Sequence, residues 1–241
     1  MRKFFFGLVI LIFVKAAQGN DSLNIAVASN FNSTLEKVSS QYEKKEKLKI
    51  NIISGSSGIL FAQIVNGAPY DIFFSADRDR PEELDSKGLT RARRTYAHGR
   101  IVFWERDEPA LEQYLSNSNR KLALARPEFA PYGKAALEIL GKFGHSLTNL
   151  AYGVNVNQVF AYIETGSVKA GFISLSQALN ENLSPNNFLI MSESLHSKIE
   201  QQLVITSNAK NGAEKFVDWV LSPAAQEIII NAGYRGIDAN D

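Results

Sequence analysis

Apolar positions along this chain fall into two alternating rhythms, short continuous runs and runs spaced by three or four residues. Leu23 to Ser29 has the continuous pattern of a buried strand, and Phe31, Leu35, Val38 and Tyr42 then recur at near-helical spacing. Lys49 to Ser54 returns to the strand pattern, the turn Gly55-Ser56-Ser57-Gly58 follows, and Ile59, Leu60 and Ile64 mark the apolar side of a second helix. Asp71 to Phe74 predicts a third strand, leading through Ser75-Ala76-Asp77 into a polar helix that ends near Gly88. Repeated strand-helix units with apolar strands predict a mainly parallel sheet covered by helices on both faces, an α/β fold.

The middle of the chain repeats this logic. Arg100 to Trp104 and Leu122 to Ala125 read as strands, and Pro131-Tyr132-Gly133 opens a helix that carries Ala136, Ile139, Leu140 and Phe143. Asn155 is placed to cap a helix whose Val156, Val159, Phe160 and Ile163 share one face, and Ala170 to Ser174 is a further strand. Leu203 to Thr206 predicts the last strand, followed by two helices, the second opened by Ser222-Pro223 and ended by Gly233. A second α/β unit is the economical reading of the middle segment.

The first residues stand apart from this pattern. Arg2 and Lys3 lead into the apolar run Phe4 to Val14, too short to span a bilayer as a mature helix, and small residues follow at Ala17 and Gly19. Residues 1–19 are therefore expected to be a secretory signal peptide, with the mature chain starting near Asn20. The sequence has no cysteine, which excludes disulfides, thiolate metal sites and a lipidated cysteine anchor. The expected location is the periplasm, without a lipid tether. Lys and Arg number 26 against 25 Asp and Glu, and they are scattered, so no basic stripe addresses a nucleic acid.

Three short loops share one chemical character. Ser29-Asn30, Gly55 to Gly58 and Asn155-Val156 are rich in hydroxyl, amide or glycine residues, and each opens directly onto a helix. Helix N-termini present unpaired N–H groups and partial positive charge, so several converging ones make an anion site without lysine or arginine. In open α/β sheets such loops, at the carboxyl ends of strands, are where ligands bind. The enzymatic alternatives are poorer. His98, His145 and His196 are far apart and have no spaced partners for a metal. Gly55-Ser56-Ser57-Gly58 is one residue short of a nucleophile elbow and lacks the Lys of a P-loop, which leaves a secreted hydrolase using Ser57 as the remote alternative.

Several segments taken together resemble a known family. They are Ala28-Ser29-Asn30-Phe31, Gly55-Ser56-Ser57-Gly58, the stretch from Gly67-Ala68-Pro69-Tyr70-Asp71 to Ser75-Ala76-Asp77, Ala130-Pro131-Tyr132-Gly133, Gly153-Val154-Asn155-Val156, and Ala170 to Ala178. In this order they resemble the periplasmic molybdate-binding proteins of ABC importers, over Leu23 to Tyr234. The resemblance implies a two-lobed periplasmic-binding-protein-like fold with the ligand cleft between lobes. It implies a first lobe of residues 20–96 with 203–241, a second of 97–202, and the membrane permease of an ABC importer as partner. A monomer is expected, with no cofactor and with molybdenum or tungsten bound only as the oxyanion.

By the same resemblance the anion would meet Ser29, Asn30 and Ser57 from the first lobe, and Tyr132 and Val156 from the second. Val156 would act through its N–H alone; for Tyr132 backbone, hydroxyl and packing all stay open. Some family members place a tyrosine ligand where this chain has Ser174, which makes Ser174 an additional candidate. Sulfate or another small oxyanion is the alternative ligand.

Overall fold

The computed structural model describes residues 22–46, 48–107, 109–117 and 119–237. The expected signal segment lies outside these residues, and among them no helix is long and apolar enough to cross a membrane. The chain first lays down β1 (Ser22–Ala28), a 3-10 turn (Ser29–Phe31), α1 (Asn32–Glu46), β2 (Lys49–Gly55), α2 (Ser57–Val65), β3 (Ile72–Phe74), α3 (Asp79–Ser86) and β4 (Thr90–Gly99). It then enters a second body with β5 (Ile101–Glu105), α4 (Leu111–Leu115), β6 (Leu122–Ala125), α5 (Pro131–Lys142), β7 (Leu150–Gly153), α6 (Val156–Glu164), β8 (Ala170–Ser174), α7 (Leu175–Asn180) and β9 (Phe188–Ile190). It returns to the first body through β10 (Ile199–Thr206), α8 (Ala213–Leu221) and α9 (Pro223–Asn231).

Two five-stranded sheets result, in the orders β2-β1-β3-β10-β4 and β7-β6-β8-β5-β9. The α/β, two-lobed reading of the sequence holds. In each sheet the first three strands are parallel, whereas β10 runs antiparallel to β3 and β5 antiparallel to β8. The reason is connectivity. β5 and β10 are the strands that arrive from the other lobe, so they start at the cleft and run away from it. Strands β4 and β9 leave toward the cleft and pair antiparallel with them. The crossings fall at Gly99 to Ile101 and before Ile199.

Period-two alternation sorts the first sheet's side chains onto two faces. Ile25, Val27, Ile72, Phe74, Leu203 and Ile205 join Leu35, Val38, Phe216 and Ile229 of α1, α8 and α9. The residues between them, Ala26, Phe73 and Val204, meet Leu60, Ile64 and Leu84 of α2 and α3 on the opposite face. Three strands, β4, β7 and β9, are not marked in the sequence, and all three are sheet edges; β7 and β9 are apolar but only four and three residues long. The outer half of β4, Thr-Arg-Ala-Arg-Arg, carries the charge that protects an edge from further pairing and so hides a strand from a hydrophobicity reading.

The start of α5 is fixed by a glycine. A Cβ on Gly133 would lie 2.1 Å from the Ala125 carbonyl oxygen at the end of β6, so only hydrogen lets helix and strand approach this closely. Gly133→Ala is expected to lower the unfolding free energy by about 1–3 kcal/mol, the usual range for overpacking against fixed backbone. Urea unfolding of the two proteins measures it; an unchanged midpoint would mean that α5 can withdraw freely.

Candidate functional site

The parallel strands of both sheets end at the cleft, and the helices that follow them begin there. Ser29 opens the 3-10 turn after β1, Ser57 is the first residue of α2, Tyr132 the second of α5, and Val156 the first of α6. Each is buried: Ser29 is 8 % exposed, Asn30 6 %, Ser57 1 %, Tyr132 2 % and Val156 2 %. Together with Ala28, Gly55, Ser56, Ala76, Ala130, Pro131 and Asn155 they line one cavity of about 10 Å³ between the lobes. The structure thus brings together five of the six residues singled out in the sequence. None of the lining residues is an Asp, Glu, Lys or Arg.

What each residue offers the cavity depends on its other partners. Ser57 Oγ accepts the N–H of Ala76 at 2.9 Å, which orients the hydroxyl and leaves its proton to donate. Ser56 precedes α2 in the N-cap position, yet its side chain makes no cap hydrogen bond, and its buried Oγ has no partner in the protein. A buried hydroxyl without a partner costs about 1–3 kcal/mol, so this atom is a donor waiting for a ligand. The sequence reading named the Gly55–Gly58 loop but not Ser56, because a serine before a helix reads as an ordinary cap. On the opposite wall Asn155 does cap α6, accepting from Gln158 N at 3.0 Å, which fixes the start of the helix beside Val156.

The sequence leaves the part of Tyr132 open and assigns Asn30 its side-chain amide as a donor, but both side chains are bound to protein partners. The Tyr132 hydroxyl accepts from Gln201 Nε2 at 3.1 Å on the crossing strand β10, while its backbone stands at the start of α5. Asn30 gives its Nδ2 hydrogens to Gln201 Oε1 (3.0 Å) and Tyr234 Oη (3.2 Å), and its carbonyl accepts from Tyr234 Oη (2.6 Å) and Ser176 Oγ (3.0 Å). Its side-chain amide is therefore spent within the first lobe, its carbonyl reaches Ser176 of the second, and what remains for the cavity is its N–H at the turn start. Ser174 is not brought to the cavity. Fully buried at the N-cap of α7, it accepts from Gln177 N, lies within hydrogen-bond distance of Ser176 Oγ, and spends its oxygen on capping.

Behind this wall Tyr96, Tyr132, Tyr234 and Gln201 form a buried polar cluster, with Tyr96 Oη donating to Gln201 Oε1 at 2.8 Å. Gly99 makes room for it: a Cβ there would stand 2.4 Å from Tyr132 Oη and 2.5 Å from Gln201 Nε2. Burial pushes the Tyr96, Tyr132 and Tyr234 phenols well above the usual tyrosine range. The Gly67 to Asp77 stretch supports the site from outside. Asp71 is buried, accepting Asn24 N and Lys210 N at 2.7 Å each, and so secures β3 and the chain beyond β10.

The chain matches the family model described as bacterial extracellular solute-binding protein over residues 23–235. It is 34% identical over 233 residues, 91% of each chain, to the molybdate-binding protein ModA of Azotobacter vinelandii. It is 30% identical over 237 residues to the molybdate-binding protein ModA of Rhodobacter capsulatus, covering 94% of this chain and 92% of that one. Among solved structures it is similar to the Azotobacter vinelandii periplasmic molybdate-binding protein, with a TM-score of 0.84 and 34% identity over 90% of this chain and 100% of that one.

The buried phenols set an upper pH limit. Unfolded tyrosine loses its proton near pH 10 while these three keep theirs when folded, so above pH 10 the unfolded state binds fewer protons and stability falls as pH rises. Phenolate absorbance during a base titration should show these tyrosines ionising only as the protein unfolds; smooth titration in the folded protein would contradict the burial argument.

Proposed function

The chain belongs to the bacterial extracellular solute-binding protein family, and from that premise we propose that it captures molybdate or tungstate between its lobes for the membrane permease of an ABC importer. It acts as a binding protein and not as an enzyme, outside the cytoplasmic membrane after export. The observation that carries the anion reading is the uncharged lining of a buried cavity on which several helix N-termini converge.

Molybdate near neutral pH is a doubly charged tetrahedron with four acceptor oxygens and no proton. Its match is a pocket of donors, here the hydroxyls of Ser29, Ser56 and Ser57 with the N–H groups at Asn30, Ser57, Tyr132 and Val156. The charge is met by partial charges at helix starts, which act strongly because closure removes water and lowers the local dielectric. Hydrogen phosphate brings a proton that needs an acceptor, and no carboxylate lines the cavity to take it. Sulfate has no proton to reject, so it is refused on size, its bonds being shorter than those of molybdate. Tungstate, nearly the size of molybdate, is accepted with it.

Because the lining holds no charged side chain, salt should weaken binding only modestly, and affinity should stay nearly flat between about pH 6 and 8. In a competition titration at two salt concentrations, molybdate and tungstate should bind alike, sulfate much more weakly and phosphate hardly at all. Phosphate competing as well as molybdate would defeat this reading.

Ser57→Ala should cost roughly ten- to hundredfold in molybdate affinity, the worth of a hydrogen bond to a charged group. Ser57→Asp should abolish binding while leaving the fold intact, since a carboxylate suits a helix N-terminus but repels a dianion. Calorimetry on the folded variants measures both; unchanged affinity in either would move the site elsewhere.

A further inference from the structure

The two walls of the anion cavity are joined just beyond its edge by contacts that touch no ligand position. Gly58 follows Ser57 in α2, and its N–H, instead of facing the cavity, crosses the cleft to the Phe129 carbonyl at 2.9 Å. Arg80 lies over the same junction. Its Nη2 donates to the Glu128 carbonyl at 2.8 Å, while its Nη1 is held by Asp77, itself anchored by Ser75 Oγ at 2.8 Å. Both groups on the first lobe are thus bound to consecutive backbone carbonyls of the second. Each also stands beside a lining residue: Gly58 beside Ser57, Asp77 beside Ala76, and Phe129 beside Ala130.

The space at this junction is fully used. A Cβ on Gly58 would lie 2.9 Å from Phe129 Cα and 3.1 Å from Arg80 Nη2, and the Phe129 atom is backbone that has no rotamer to yield. Gly58 is not in the left-handed region, so the helix itself has no need of glycine there, and alanine is the better helix former. The requirement for glycine comes from the opposite lobe.

We propose that Gly58 and Arg80 are positioning residues that latch the closed lobes through the Phe129 and Glu128 carbonyls and so set how slowly the anion is released. The latch rests on the reading of the cavity as an anion site. Gly58 admits the second lobe to contact distance, and Arg80, its charge balanced by Asp77, clamps the loop that leads into α5. The anion holds the same two backbone segments, Ser57 of α2 and Tyr132 of α5, from the inside. Ligand and latch therefore favour the same lobe arrangement, and losing either loosens the other.

The absence of cysteine allows spin labels at Lys87→Cys and Lys142→Cys, exposed positions in the two lobes, to report lobe separation. Molybdate should shorten that distance in the parent protein. Gly58→Ala should keep the ligand-free distance at saturating molybdate, with a melting temperature no lower than the parent's. Arg80→Ala should still close but release molybdate roughly tenfold faster or more, with little change in the association rate. Variants that match the parent in distance and release rate overturn the latch and leave the anion reading standing. A parent that ignores molybdate but closes on sulfate or phosphate defeats the ligand assignment, and the latch is then judged by the same variants with that anion. A parent that closes on no anion overturns both.

Discussion

The constraint on which this structure depends is that the first N–H groups of a helix have no partner within the helix. Each must find one elsewhere or remain costly when buried. In a parallel strand-helix unit the helix begins at the carboxyl end of its strand, so every such unit delivers its unpaired donors to the same edge of the sheet. Bringing the two sheets' strand ends together, with the starts of α2, α5 and α6 around one cavity, concentrates those donors among largely buried residues. The donors are a liability of secondary structure until a ligand with acceptors only takes them up. A site made this way needs little from its side chains, which explains how Val156, an apolar residue, can stand in the wall of such a cavity.

The same constraint governs how much the sequence could reveal. Loops that open helices are legible because Ser, Asn and Gly mark them, and Ser29, Asn30, Ser57 and Val156 were found by that signal or by family likeness that follows it. What stayed hidden was which atoms of those residues are already committed. Asn30 and Tyr132 turn their polar ends to Gln201, a residue on β10 some distance along the chain, and no local pattern announces that meeting. Ser56 and Ser174 look alike in sequence, each a serine before a helix. Ser174 accepts from the third residue onward, Gln177, and is satisfied; Ser56 does not cap and is left unpaired. The difference lies in three-dimensional placement, not in residue type. The edge strand β4 is hidden by the polarity that makes an edge safe, whereas β7 and β9 are apolar but too short to stand out from their neighbours.

Gln201 joins the two lobes through its place in the fold as well as through its partners. It is fully buried, on the strand that links the lobes, beside a shift in register between Gln201 and Gln202. Its amide supplies both an acceptor for Asn30 and Tyr96 and a donor for Tyr132, so one side chain serves residues from both lobes. An amide suits this place better than a carboxylate or an ammonium would, because it carries both kinds of group and no net charge into a region without water.

The order of strands in the first sheet has a consequence in time. β10 lies inside that sheet, between β3 and β4, yet it is encoded after the whole of the second lobe. Until Thr206 has left the ribosome, β3 and β4 have no strand to pair through, and the first lobe cannot complete its core. Its folding depends on contacts between segments widely separated in the chain, which slows it. In a nascent chain of this topology the first lobe stays incomplete until the end of the chain is made, and a lobe that has not closed its core can still be threaded through a membrane pore.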